Sequence, residues 1–253
     1  MCNRYHPARA VELAFYRDAF GLDEPPRGHV GNPLFPRDIG PFGRGAFIRL
    51  ARESGQLEEV LGQWGLIGWF AKSPVPPRKP GRGGPILTNN ARMETIAEKP
   101  TFRDPWKRGQ RCIIPAWSYV EPNWETGKNQ WWRFRRADGQ PWGMAGLWNT
   151  WTDKETGEVV ESFTMITLNA DHHPLLSRMH RPDLTREATL QDKRAVVPLA
   201  PSAFEVWLQG TTEEATAALQ LPGADVYNAG PDQPSLLPGD AGTKNAPNQP
   251  ALL

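Results

Sequence analysis

Residues 111–120 read Arg-Cys-Ile-Ile-Pro-Ala-Trp-Ser-Tyr-Val. This short apolar run, rich in β-branched and aromatic residues, reads as a buried strand entering a turn. Its surroundings are strand-like too. Gln130–Arg136 and Trp142–Asn149 flank the turn Ala137-Asp138-Gly139-Gln140, which predicts a hairpin. A second hairpin is expected between Leu147–Thr152 and Val159–Leu168, across Asp153–Gly157. Further strands are expected at 45–50, 57–66 and 193–199. Helical spacing is found at 8–20, and short helices are expected at 201–209 and 212–220. The chain from Asn228 onward is Gly, Pro, Asn and Ala with little to bury, and reads as a poorly ordered tail. These elements predict an α+β fold: one mostly antiparallel-β domain over 1–227, curved or barrel-like, with a few peripheral helices, and a tail over 228–253.

Composition narrows the function. The 253 residues carry a net charge of +1, so any basic binding surface must be local. Two cysteines exclude a disulfide framework and a four-cysteine zinc site, and neither metal nor cofactor is expected. No apolar stretch approaches the ~18 residues of a membrane span. Residues 1–20 are polar and amphipathic rather than signal-like, which implies a reducing, cytoplasmic setting where a free thiol survives. Eleven Trp and 26 Pro favour a loop-rich β fold with aromatic surfaces. The loop Ser73–Gly84 holds Arg78, Lys79 and Arg82 and reads as a connector.

The chain begins Met1-Cys2-Asn3-Arg4. Removal of Met1 would give Cys2 a free α-amine beside its thiol, and an aminothiol condenses with an aldehyde to an imine and then a thiazolidine. Both groups are partly in reactive form at neutral pH, with reference pKa values near ~8.5 and ~7.7–8.0. Three other stretches carry chemistry. Gln63-Trp64-Gly65-Leu66-Ile67 is a strand end with an exposed-looking Trp64. Asn90-Ala91-Arg92-Met93-Glu94-Thr95 precedes Lys99, Arg103 and the 111–116 run, with Glu121 just beyond. Ser177-Arg178-Met179-His180 precedes Lys193-Arg194-Ala195-Val196-Val197.

Met-Cys, Trp-Gly-Leu, Asn-Ala-Arg-x-Glu-Thr, Arg-Cys-hydrophobic-hydrophobic-Pro-Ala with a following Glu, and a His ahead of Arg-x-x-Val occur in this order over residues 1 to about 208. Together they resemble the SOS-response-associated peptidase family, whose members trap abasic sites in single-stranded DNA. The resemblance implies that Cys2 is the nucleophile, exposed by autocatalytic loss of Met1. It implies that Asn90 positions the Cys2 amine, that Glu121 is the acid–base carboxylate and that His180 lies beside the reacting sugar. Arg178 competes for the histidine position, but an imidazole moves protons near neutral pH and a guanidinium does not. The resemblance places Arg4, Arg92 and Arg103 near the DNA backbone. Lys99 joins this local basic set, with Trp64 or Trp69 as a stacking surface for bases. A monomer acting on single-stranded DNA in the damage response, nucleoid-associated when bound, is expected, with strand cleavage by a lyase step left open.

Plain alternatives accompany these roles. Glu121 read alone is a turn carboxylate, Asn90 a turn residue, and Glu94 a brace for Arg92. Cys112 reads as an inert core thiol, His172 and His173 as loop residues, and Arg133, Arg135 and Arg136 as a solvated strand face. Trp131, Trp132 and Trp142 read as packing residues. Two rival functions are a general cysteine peptidase using Cys2 or Cys112 with His180, and a noncatalytic reader of damaged DNA.

Overall fold

The computed structural model describes residues 1–8, 38–76, 81 and 84–232. Its centre is the strand β5 (Arg111–Asn123), which contains the run quoted above. Around it, β7 (Trp142–Thr152), β8 (Val159–Asn169), β3 (Leu57–Trp64) and β2 (Arg44–Leu50) pair in that order, and β2 and β7 both return to β5. This closes a five-stranded barrel, antiparallel except where β3 runs parallel to β8. Closure leaves these strands no free edge.

The continuous apolar character of β5 follows from its covering on both faces. Cys112, Ile114 and Ala116 belong to one core with Phe47, Trp64, Phe163 and Met165. Ile113 belongs to a second core with Ile48, Leu147, Ile166, Phe204 and Trp207. The period of two in each strand sorts alternate residues between the two. The second core lies under the helices α1 (Pro100–Lys107), α2 (Phe204–Gln209) and α3 (Thr212–Ala217). Trp207 of α2 donates its indole N–H to the Cys112 carbonyl at 2.8 Å, which ties the helix to β5.

Short strands complete the fold: β1 (Tyr5–Pro7), β4 (Asn90–Arg92), β6 (Gln130–Arg136), β9 (Arg194–Val196), β10 (Pro198–Leu199) and β11 (Tyr227–Pro231). The hairpin between β7 and β8 forms as expected, with Thr152 opposite Val159. The one between β6 and β7 does not form. The first half of β5 pairs with β7 from Arg111↔Leu147 to Ala116↔Trp142, and its second half pairs with β6 from Tyr119↔Phe134 to Asn123↔Gln130. A strand of 13 residues is long enough to seat both partners in succession. Residues 228–231, expected to open the tail, instead belong to β11, which pairs with β6 through Pro231 and satisfies the β6 edge. Residues 233–253, the helical pattern at 9–20, and Arg78, Lys79 and Arg82 lie outside the described residues. Helix α1 was not anticipated. Pro100 suits its first turn, but Pro105 inside it obscures the helical signal.

Candidate active site around Cys2

Strand β1 carries the N-terminus to the far half of β5. Tyr5 pairs with Tyr119, and Val120 N–H donates to the Arg4 carbonyl at 3.0 Å. This register sets Cys2 beside Glu121. Cys2 is fully buried, and its carbonyl accepts from the side-chain amides of Asn90 at 2.6 Å and Asn89 at 3.0 Å. Strand β4, parallel to β8, presents Asn90 at its first residue. Asn90 therefore grips Cys2 through its carbonyl. Asn89 escaped the sequence reading, although the doublet Asn89-Asn90 was visible ahead of Ala91-Arg92.

His180 reaches the same place from the loop after β8. Met179 bridges Asn123, and the His180 N–H donates to the Pro122 carbonyl at 2.6 Å. His180 sits in the left-handed region with φ 64, held there by Lys193, whose ammonium donates to the His180 carbonyl at 2.6 Å. The imidazole Nε2 lies 3.3 Å from Glu121 Oε2 and 3.0 Å from the Met1 amine. Arg178 points elsewhere: it forms a two-pronged pair with Glu125 at 2.8 Å and covers Trp132. The geometry thus brings His180, and not Arg178, to Cys2.

The electrostatics differ from a generic surface site. Glu121 is buried and neither of its oxygens has a hydrogen-bond partner. Burial pushes its carboxyl up to about 7, with the N-terminal ammonium pulling weakly the other way. Burial and then the N-terminal charge bring His180 down to about 3, so its ring is neutral at physiological pH. Glu121, and not His180, is the group poised to exchange a proton near pH 7. Burial, then the Glu121 charge, holds the Cys2 thiol far above its usual range while Met1 is attached.

The remaining expected site residues separate. Trp64 is 0% exposed and packs edge-on to Tyr5 at 5.0 Å, so it is a core residue and offers no face to a base. Trp69 is 60% exposed but lies with Trp148 in a cleft beside the start of β5, away from Cys2. Arg4 is paired with Asp232 at 2.9 Å and faces Asp38 at 4.0 Å. Arg92 is paired with Asp192 at 2.8 Å. Glu94 bonds Arg194 directly, and the Arg92 charge acts on it from nearby. Lys99 is exposed at the start of α1, and Arg103 lies on α1 with Asp104 at 3.6 Å. Arg133, read as part of a solvated face, binds Asp232 at 2.7 Å and Ser118 at 2.8 Å. Cys112 is buried in the barrel, with its thiol held high by desolvation. His173 caps a turn, accepting from the Leu175 and Leu176 N–H groups. No group of three potential metal ligands is found among the described residues. No helix among them is long and apolar enough to cross a membrane.

Comparison with known proteins follows the same lines. The Abasic site processing protein YedK of Escherichia coli (strain K12) is 27% identical over 212 residues, covering 83% of this chain and 80% of its own. The Abasic site processing protein YobE of Bacillus subtilis (strain 168) is 39% identical over 111 residues, 42% of this chain and 44% of its own. A crystal structure of a protein from Bordetella bronchiseptica is 33% identical and superposes with a TM-score of 0.71, covering 92% of this chain and 100% of that one. Residues 1–229 match the SOS response associated peptidase (SRAP) family throughout, and the chain belongs to that family.

Proposed function

We propose that this protein traps abasic sites in single-stranded DNA as a covalent adduct on Cys2, after removing its own Met1. The observation that carries the reading is the meeting of buried Cys2 and Glu121 with the half-buried His180, whose ring lies at the exposed Met1 amine. A ring-opened abasic sugar is an aldehyde. The Cys2 amine adds to it and loses water, giving an imine. The Cys2 sulfur then adds to the imine carbon and its proton passes to the nitrogen, closing the thiazolidine. Overall one aldehyde and one aminothiol give one ring and one water. A carboxyl poised near neutral pH serves both proton transfers, and such catalysis is worth typically ~10²–10⁴-fold. Neutral His180 accepts a hydrogen bond from the amine and keeps it at the carbonyl carbon. The amides of Asn89 and Asn90 fix the Cys2 backbone so that amine and thiol approach from one side.

The high thiol pKa with Met1 in place fits this order of events. Hydrolysis of the Met1–Cys2 bond puts an ammonium on Cys2 itself, and an adjacent positive charge favours the thiolate. A fully buried thiol does not suit a general peptidase acting on unrelated chains. Arg92, Lys99 and Arg103 are the basic groups offered to the strand, and phosphate contacts of this kind set register without reading bases. The reading is tested by incubating the purified protein with single-stranded DNA bearing one abasic site. A band stable on a denaturing gel is expected from protein whose intact mass lacks Met1, and no such band from Cys2→Ala. Stable adducts from a chain retaining Met1 would overturn it.

A further inference from the structure

Between His180 and β9 the chain makes a loop whose two ends are tied together by one side chain, that of Lys193. Lys193 is 7% exposed, and its ammonium donates to the His180 carbonyl at 2.6 Å. Among the described residues it has no carboxylate partner, and the Asp171 charge acts on it only from nearby. Its backbone is anchored from the other side. The N–H groups of Lys193 and Asp192 donate to the two Asp171 carboxylate oxygens at 2.7 and 3.0 Å, and the Lys193 carbonyl accepts from the Ala170 N–H at 2.8 Å. Asn169, the last residue of β8, holds Asp171 in turn at 2.8 and 3.0 Å. Lys193 therefore reaches His180 from a fixed point on the barrel.

His180 needs such a hold. Its φ of 64 is a conformation that residues with a Cβ rarely adopt, and one that persists only where the surroundings impose it. Both of its backbone polar groups are engaged: the N–H with the Pro122 carbonyl of β5, the C=O with Lys193. The backbone conformation in turn aims the ring, whose Nε2 lies 3.3 Å from Glu121, 3.0 Å from the Met1 amine and 3.2 Å from the Arg194 carbonyl. A buried ammonium is costly unless it is hydrogen-bonded, and a hydrogen bond from a charged donor is roughly twice as strong as a neutral one. A charge set on this one carbonyl is therefore a strong restraint at the point of greatest backbone strain in the site. We propose that Lys193 is a positioning residue for the Cys2 reaction: its ammonium fixes the His180 backbone, and through it the imidazole that holds the Cys2 amine. Lys193 itself touches no reacting atom. Without the ammonium, His180 relaxes toward negative φ and its ring turns away from Glu121 and the amine. This role presupposes the covalent trapping proposed above.

The test uses the full chain after loss of Met1. Rates of adduct formation are measured at saturating single-stranded DNA with one abasic site, and affinity is measured with an intact strand of the same length. Lys193→Met keeps the apolar stem and loses the donor. It is expected to slow adduct formation at least tenfold, with intact-strand affinity unchanged within twofold. Lys193→Arg, which keeps a charged donor, is expected to recover most of the rate. In a His180→Ala background, adding Lys193→Met is expected to change the rate less than twofold, because the ring it positions is gone. The His180 imidazole resonances, assigned by their loss in His180→Ala, are expected to shift in Lys193→Met while those of the other histidines stay in place. A native rate in Lys193→Met, an equal slowing in the His180→Ala background, or a loss of intact-strand affinity that accounts for the rate overturns the proposal. Should Lys193→Met fail to fold, Lys193→Gln takes its place, and a native rate there overturns the proposal equally. If the native protein forms no adduct, the Cys2 reading has failed, and the resonances alone decide: unshifted His180 signals in the variant mean that Lys193 does not position the ring.

Discussion

The two ends of β5 treat charge in opposite ways. At the Cys2 end nearly every arginine is matched: Arg4 and Arg133 share Asp232, Arg92 and Arg194 share Asp192, and Arg178 holds Glu125. Glu121 there is buried and has no arginine or lysine partner among the described residues, only the neutral His180 ring at 3.3 Å. At the other end Arg52, Arg108 and Arg111 line a cleft with no acid. Chemistry needs a proton held at a shifted pKa in a defined place, and stray fields would spoil that setting. Binding of an anion needs the reverse, an uncompensated field open to solvent.

The largest expected effect tests whether the Cys2 end is chemical at all. Cys2→Ser keeps the amine and removes the sulfur, so the adduct stable on a denaturing gel is expected to disappear, while borohydride still captures an imine. Undiminished stable adduct would move the chemistry to another nucleophile.

Glu121→Gln comes next, with adduct formation expected to slow by ~10²–10⁴-fold and Glu94→Gln to have little effect. Stability gives an independent reading of the same residue. Glu121 is raised to about 7 in the fold from an ordinary value near 4.5. Between those values the folded state holds more protons than the unfolded chain, so native stability falls as pH rises through this window. Above it the buried charge costs on the order of 3 kcal/mol, at 1.36 kcal/mol per pKa unit. Urea midpoints at pH 5 and pH 8 are expected to show this loss in the native protein and not in Glu121→Gln. Parallel curves would mean that Glu121 is solvated.

Trp64 and Trp69 sharpen the comparison of the two ends. Trp64→Ala is expected to cost about 3–5 kcal/mol in urea unfolding, because the indole fills the barrel. Trp69→Ala is expected to stay within about 0.5 kcal/mol, as an exposed side chain should. The reverse order would mean that Trp69, and not Trp64, is the packed indole.

Asp232→Asn is a smaller break. It weakens two arginine pairs that join β1 to the β6–β11 edge, and about 1.5–3 kcal/mol of stability is expected to go with them. The smallest effect belongs to Arg92→Ala. It should weaken abasic and intact single strands alike and lower the salt slope of log affinity by ~0.7, the value for one phosphate on a single strand. Loss confined to abasic strands would give Arg92 a role at the lesion.

Much of this was legible in the chain. The strand run at 111–120, the hairpin at 147–168 and the short helices after 201 are local patterns, and local patterns survive folding. Cys2, Glu121 and His180 were singled out through the order of motifs that resembles a known family; read alone, Glu121 was a turn carboxylate, and only the fold shows that the three meet. The pairing of β6 was not legible, since a turn sequence reports that the chain reverses and not which neighbour it then meets. Trp64 was misplaced for a related reason: an indole at a strand end is compatible with either face until the barrel closes. The pairing of Arg4 with Asp232 joins residues 228 positions apart, and no spacing rule reaches that far.

The sequence by itself determined the order of motifs that marks the family and the alternation that builds β5, since both reside in side-chain identity and order. Tertiary structure alone decided which groups are charged and which are neutral. Glu121 and His180 carry ordinary side chains, and only their enclosure with Met1 and Cys2 moves one up to about 7 and the other down to about 3. Desolvation and proximity are properties of the folded environment, and a linear chain has neither.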